Sequence, residues 1–310
     1  MRSLITLLRP QQWLKNLFVF LPAFFSGNIF SLPVPVESVI AFIAFSLAAS
    51  AIYCLNDLID VEADRLHPTK CNRPIAAGLI STRQALLIML LTAVAALILP
   101  FLLIPLQQHY THPQTDSDGI IHVQAAIYTS TVIAIYLLLN IAYCLKLKQL
   151  SLIDIFIIAI GFDLRVAAGG AATGIMISHW IIIMTFLLAL FLALCKRRDD
   201  IVIYENSGRK MRRNIDKYNR TYINQAITLV ATIMLVSYIM YTVSPEVEQR
   251  FNSDLVYITS IFVLAGLLRY MQLATVFGKT GSPTKILLHD RITQACIIAW
   301  ALTFATIIYL

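Results

Sequence analysis

Charge is scarce in this sequence. Only 13% of its 310 residues are charged, and Asp and Glu together number 17. A soluble domain carries about 25% charged residues, so a solvated globular domain is excluded. Cysteine is sparse as well. Cys54, Cys71, Cys144, Cys195 and Cys296 show no CxxC and no metal-ligand spacing, which argues against a cysteine-built metal site. Most of them fall near the face read below as cytosolic, where thiols stay reduced, and they read as packing residues. No Ser-His-Asp triad or Cys-His pair stands out, and there is no soluble domain, low-complexity tract or short repeat. No persuasive cleavage site follows Arg2 and Arg9, so the apolar segment after them reads as a first span.

What the chain has is hydrocarbon. Hydrophobic residues make up 58% of it, in runs long enough to cross a bilayer at about 20 helical residues each. Nine spans are expected, near 13–31, 36–56, 82–106, 123–142, 151–174, 178–195, 219–243, 254–274 and 290–310. Lysine and arginine orient them. Of 24 basic residues only Arg250 falls on the far side, and only Arg165 lies well inside a span. The segment 196–220 alone holds nine. The expected fold is an all-α polytopic membrane protein with a cytosolic N-terminus. The net charge of +7 is then a topology signal, and no nucleic-acid partner is implied. The polar stretch 107–122, with His109, His112 and His122, reads as an exposed external loop. Gly161, Gly169, Gly170 and Gly174 read as sites of close helix packing.

The densest chemistry lies in NDLIDVEAD, residues 56–64. Asp57, Asp60 and Asp64 fall at i, i+3 and i+7, which in a helix puts three carboxylates on one face. With the Asn56 carboxamide they suit Mg²⁺, which takes oxygen ligands and shares them with substrate phosphates. A solvated acidic helix end is the plainer reading. Lys70 and Arg73 follow closely in RLHPTKCNRPIAAG, and carboxylates beside such cations match a metal–diphosphate, whose oxygens need both partners.

Other polar groups sit at the same expected face. In RPQQWLKN, Trp13 suits the interface, while Lys15 reads as either a snorkelling side chain or a substrate contact. Asp163 and Arg165 lie at hydrocarbon depth, where an Arg is a functional candidate by default. Pairing of Arg165 with an acid such as Asp163 or Asp154 is the structural alternative. In HDRITQ, Asp290 reads as a helix cap beside His289 and Arg291. Tyr136, Tyr143, Tyr218 and Tyr222 read as belt or packing residues.

NDxxDxxxD followed by KxxRP and a glycine resembles the first signature of the UbiA-type intramembrane prenyltransferase superfamily. The resemblance implies one domain over 1–310, with nine transmembrane helices around a central cavity open to the cytosolic side and the bilayer. It also implies carboxylates that hold Mg²⁺ on a diphosphate leaving group, with Mn²⁺ as the alternative ion. Members that alkylate aromatic rings carry a second spaced aspartate motif after the sixth span. Here that stretch begins KRRDD: Asp199 and Asp200 are adjacent, and Lys196, Arg197 and Arg198 precede them. The surplus positive charge suggests an additional anion at the site.

A branch of the superfamily that moves a phosphoribosyl group from phosphoribosyl diphosphate to a polyprenyl phosphate fits this loop. The similarity runs through RPQQWLKN, the long stretch from FSLAASAIYCLNDLIDVEAD to NRPIAAG, LRVAAGGAATG, KRRDD, LRY at 268–270 and HDR at 289–291. The acidic member after KR is commonly Glu there, and Asp keeps the same chemical group. The resemblance implies that Asp57, Asp60 and Asp64 hold the metal, and that Asn56 orients them or contacts ribose. Lys70 and Arg73 would bind the diphosphate or the 5-phosphate. Lys15, Arg165, Lys196, Arg197, Arg198, Asp200 and Arg291 would contact substrate, Arg165 and the 196–198 run at a lipid or sugar phosphate. The implied location is a bacterial inner (plasma) membrane with the active site facing the cytosol, and the implied role is supply of a cell-envelope polysaccharide precursor. Two alternatives stand beside it: prenyl transfer to an aromatic acceptor, and an ion-relay transporter. A homo-oligomer is allowed, although nothing in the sequence specifies one.

Overall fold

Long apolar runs in lipid leave the backbone one way to satisfy its own polar groups within a segment, which is the helix. The computed structural model describes residues 2–66, 70–110, 116–208, 214–278, 286 and 288–309, and every regular element among them is helical. Among the described residues seven helices are long and apolar enough to cross a bilayer: Val34–Ile59, Thr82–Tyr110, Val123–Leu145, Ile153–Thr173, His179–Asn206, Arg220–Thr242 and Leu255–Thr275. Arg291–Ile307 is a shorter apolar helix.

Two expectations need correction. The run near 13–31 is not one α-helix but a 3-10 helix, Pro10–Phe20, followed by the five-residue Leu21–Phe25. Pro10 and Pro22 each open a new piece, the position where a missing N–H leaves no bond unmade. The described parts of 107–122 are helical rather than an exposed loop. One helix runs to Tyr110 and the next starts at Asp116, because IIHVQAA carries the following apolar run backward. His112 lies outside the described residues.

The helices are α1 (Arg2–Leu8), α2 (Leu21–Phe25), α3 (Val34–Ile59), α4 (Val61–Arg65), α5 (Thr82–Ile98), α6 (Leu103–Tyr110), α7 (Asp116–Leu145) and α8 (Ile153–Thr173). They continue with α9 (His179–Ser207), α10 (Arg220–Thr242), α11 (Pro245–Phe251), α12 (Ser260–Thr275) and α13 (Arg291–Tyr309). The chain divides into two compact units. Unit 1 is Met1–Lys148 with Asp163–Ile177, and unit 2 is Gln149–Phe162 with Ser178–Leu310.

Unit 1 is organised on α3. Ala41, Ala44, Ala48 and Ala51 are buried along it beside Phe45, and such small residues let neighbouring backbones approach. α5 and α7 pack on this helix. A capping box of Ser81 and Gln84 starts α5, satisfying donors that the first turn leaves open. Its Leu86, Leu87, Leu90, Leu91 and Val94 are exposed, as a lipid-facing side requires.

The 3-10 helix explains its own docking. Three residues per turn align i with i+3, so Trp13, Asn16 and Val19 share an edge. Trp13 Nε1 donates to Ser50 Oγ at 3.0 Å and Asn16 Nδ2 to Ser46 Oγ at 2.9 Å. The Val19 carbonyl lies so near Gly169 of α8 that a Cβ there would meet it at 1.9 Å. Any side chain at Gly169 would push the 3-10 helix away.

Unit 2 packs α9, α10 and α12 around Phe191, Leu194, Ile223, Ile227 and Leu273. Ser178 caps the start of α9, and Gly208, at φ 67, ends it in the left-handed conformation that glycine adopts without strain. Trp300 Nε1 donates to Tyr238 Oη, which pairs with Thr259 Oγ1, each at 2.7 Å.

Candidate active site

The three motif carboxylates do not share one continuous helix. α3 stops at Ile59, Asp60 leaves helical geometry at φ −91 and ψ 8, and α4 starts at Val61. Aspartate readily competes with the helical backbone in this way. Asp57 therefore sits on a last turn, Asp60 at a joint and Asp64 on a separate short helix. The break sends them to different partners. Arg73 Nη1 bridges Asp57 Oδ1 at 3.0 Å and Asp64 Oδ2 at 2.5 Å. Asp60 instead accepts from Lys148 Nζ through both oxygens, at 2.9 and 3.2 Å.

Asp57 is the most deeply placed of the three, its side chain 2% exposed. Its Oδ1 also accepts from Arg9 Nη2 at 2.5 Å. Both guanidinium groups meet this one oxygen, and the buried Oδ2 finds no hydrogen-bond partner among the described residues. Asn56 accepts from Cys144 Sγ at 3.8 Å, which orients its carboxamide. Lys70 opens a short 3-10 turn, and the Arg73 amide bonds back to its carbonyl at 2.9 Å.

Arg9 and Lys148 were not singled out as site residues in the sequence. Arg9 adopts φ 51 and ψ 57, a left-handed conformation that costs a non-glycine residue roughly 1–2 kcal/mol. Its guanidinium stacks on Tyr53 at 5.1 Å while reaching Asp57, so its contacts accompany the strain. The RP pair opening RPQQWLKN was the available signal. Lys148 lies 88 residues from its partner Asp60, a separation at which no local pattern carries information.

Deeper in unit 1, Arg165 is buried on α8. Its Nε donates to Asn16 Oδ1 at 2.8 Å and its Nη2 to Tyr136 Oη at 3.4 Å. The guanidinium also lies over the rings of Phe45 and Tyr136, at 4.9 and 5.1 Å. Tyr136 is thus part of this network rather than only a packing residue. Lys15, on the 3-10 helix, is half-buried and lies in the field of Arg165 and Arg9.

In unit 2 the basic run is tied into the protein. Arg197, fully buried, donates through Nε to Asp154 Oδ2 at 2.8 Å and through Nη1 to Asp200 Oδ2 at 2.7 Å. Tyr218 Oη takes the Leu152 amide at 2.6 Å and donates to Asp154 Oδ1 at 3.2 Å. Burial pushes the Tyr218 phenol up to about 12, which keeps it a donor. Arg198 turns the other way. Its Nε reaches Asn224 Oδ1 at 2.8 Å, and its two terminal nitrogens meet the carbonyls of Ala274 and of Thr275, the latter at 3.1 Å. Those are the last carbonyls of α12, which the helix itself cannot satisfy. Asp290 accepts from Thr293 N at 2.9 Å and from Arg269 at 2.7 Å, so it is the cap of α13. Arg291 is exposed in the first turn of that helix.

The model of the UbiA prenyltransferase family matches residues 17–276. The chain belongs to the UbiA prenyltransferase family. Among relatives, the decaprenyl-phosphate phosphoribosyltransferase of Mycolicibacterium smegmatis is 34% identical, over 99% of this chain and 92% of its own. The protein of the same name from Corynebacterium glutamicum is 32% identical, over 99% and 87%. A UbiA homolog from Archaeoglobus fulgidus bound to GPP and Mg²⁺ shares the fold, with TM-score 0.61 at 18% identity, covering 98% of this chain and 99% of that one.

As a UbiA-family member the chain can be tested for fit to a divalent cation. Among the described residues no three acidic, histidine or cysteine side chains form a ready cage. Mg²⁺ needs none, since one or two carboxylates plus substrate phosphates commonly hold it. The bare, buried Oδ2 of Asp57 is a position of that kind, and Arg73 joins the other oxygen of Asp57 to Asp64. The residues fit.

Proposed function

We propose that this protein transfers the 5-phosphoribosyl group of phosphoribosyl diphosphate to a polyprenyl phosphate and releases diphosphate. The observation that carries the reading is Asp57, a buried carboxylate with cations gathered on one oxygen and the other bare. Near-full-length relatives named decaprenyl-phosphate phosphoribosyltransferase support the choice of donor and acceptor.

Asp57, Asp60 and Asp64 would hold Mg²⁺, or Mn²⁺ in its place. The metal, when bound, neutralises charge on the departing diphosphate. Arg9, Lys70 and Arg73 supply hydrogen bonds to the diphosphate oxygens, which are strongest when both partners are charged. Asn56 orients the carboxylates or meets the ribose. An oxygen of the lipid phosphate forms the new bond to the anomeric carbon as the bond to diphosphate breaks. That nucleophile is already an anion near neutral pH, so the residues need to position and neutralise rather than remove a proton. Arg197, Arg198 and Asp200 are read as residues that hold unit 2 together, while Lys196 and Arg291 stay as phosphate contacts.

In this reading residues 1–310 are one domain of nine spans. The seven long helices, the apolar stretch 10–25 and Arg291–Ile307 support that number. The N-terminus and the carboxylates face the cytosol of a bacterial plasma membrane, and the product feeds cell-envelope polysaccharide synthesis. Neighbours holding prenyl diphosphates share the fold, so prenyl transfer to an aromatic acceptor is the competing reaction. The test offers purified protein labelled phosphoribosyl diphosphate or labelled prenyl diphosphate, each with polyprenyl phosphate or an aromatic acid. Label in the lipid phosphate from phosphoribosyl diphosphate is expected. Incorporation only from prenyl diphosphate would refute the reading.

A further inference from the structure

Ser50 is fully buried on α3 and bonds to the chain on either side of Arg9. Its hydroxyl donates to the Leu8 carbonyl at 2.8 Å and accepts from Trp13 Nε1 at 3.0 Å. The Leu8 carbonyl shares one planar peptide with the Arg9 amide, and that amide donates to the Ile5 carbonyl at 3.2 Å. The next peptide is held too, because the Arg9 carbonyl accepts from the Gln12 amide at 2.8 Å. With both flanking planes fixed, the backbone of Arg9 is set at φ 51 and ψ 57. So is the direction in which its side chain leaves. A left-handed arginine is unfavourable by itself and persists where surrounding contacts determine it.

That direction leads to the carboxylate cluster. Ser46, Ser50, Tyr53 and Asp57 recur at helical spacing and lie on one face of α3. The N-terminal segment follows this stripe. Asn16 bonds to Ser46, and Trp13 and Leu8 bond to Ser50. The Arg9 guanidinium then crosses the Tyr53 ring at 5.1 Å and ends on Asp57 Oδ1 at 2.5 Å. Ser50 and Asp57 stand two turns apart, about 10 Å along the axis, and Arg9 closes that gap.

We propose that Ser50 is a positioning residue of the active site, acting through Arg9 by holding the turn that aims its guanidinium at the diphosphate. The inference rests on the reading of Asp57 and Arg9 as the diphosphate position, and adds to it a hydroxyl that touches no substrate. A serine that only packed the N-terminal segment on α3 would matter equally whatever side chain stood at position 9.

The experiment is a double-mutant cycle on the full-length protein in detergent, titrated calorimetrically with Mn²⁺-diphosphate. Arg9→Gln should weaken binding by about tenfold or more, the scale of a charged hydrogen bond. Ser50→Ala should weaken it by about three- to tenfold, the scale of one neutral hydrogen bond, and by less than about twofold once Arg9→Gln is present. Trp13→Phe removes one bond of Ser50 and keeps an aromatic ring, so it should give a smaller loss that also vanishes beside Arg9→Gln. If Ser50→Ala does not fold, the Trp13→Phe cycle decides in the same way. Equal losses with and without Arg9, unchanged affinity in the single variants, or no diphosphate binding by wild type overturns the proposal. Diphosphate is common to both donors considered, so failure of the phosphoribosyl reading would appear separately, in the labelled-transfer assay.

Discussion

The Asp57 cluster of unit 1 and the Arg197 cluster of unit 2 are built from the same materials, buried carboxylates and guanidinium groups, and differ in who can reach them. Arg197 and Asp154 are both sealed at 0% side-chain exposure. Around Asp57 the partners stand at the edge: Arg9 is 25% exposed, Arg73 22% and Lys148 22%. A sealed pair fixes a helix junction. The cations around Asp57 are about a quarter exposed, so solvent reaches them. The same residue types thus do different work according to whether solvent touches the rim.

The comparison breaks most visibly at Arg197. Arg197→Met leaves Asp154 charged and buried, and should destabilise by about 3–5 kcal/mol, seen as a large fall in melting temperature in detergent. Arg197→Met with Asp154→Leu should recover most of it. At Asp57 the loss should be chemical. Asp57→Ala should cut labelled transfer by about 10²–10³-fold at nearly unchanged melting temperature. Near-normal turnover in that variant would remove Asp57 from the site.

Arg198→Met tests whether this cation of the run serves structure. Freed carbonyls at the end of α12 should lower stability by about 1–3 kcal/mol, with donor KM within a few-fold of wild type. A large rise in donor KM without loss of stability would return Arg198 to the substrate. The smallest effect should come from Asp290→Ala, which removes the α13 cap and should lower stability by about 1 kcal/mol, with transfer unaffected when measured below the melting range.

Much of this was legible before the structure. Apolar run length gave the long helices, and acids followed closely by Lys70 and Arg73 marked the carboxylate cluster. What stayed hidden has physical reasons. Adjacent helical residues point about 100° apart, so Arg197 and Arg198 read alike in sequence yet meet Asp154 and the α12 carbonyls. Spacing put Asp57, Asp60 and Asp64 on one face, but helix periodicity holds only while the helix lasts, and it ends at Ile59. Arg9 meets Asp57 across 48 residues, a contact set by docking of the 3-10 helix on α3. That 3-10 segment lies between Pro10 and Pro22, in a stretch whose hydropathy alone reads as an ordinary span.

The central claim is that the bare oxygen of Asp57 receives the cation on a diphosphate donor. Mn²⁺ binding followed by electron paramagnetic resonance, with phosphoribosyl diphosphate present, tests it directly in wild type and Asp57→Asn, a change that keeps size while removing charge. The account predicts binding by wild type and about tenfold or greater weakening in Asp57→Asn, the scale of one charged ligand. Equal Mn²⁺ affinity in the two proteins would contradict it.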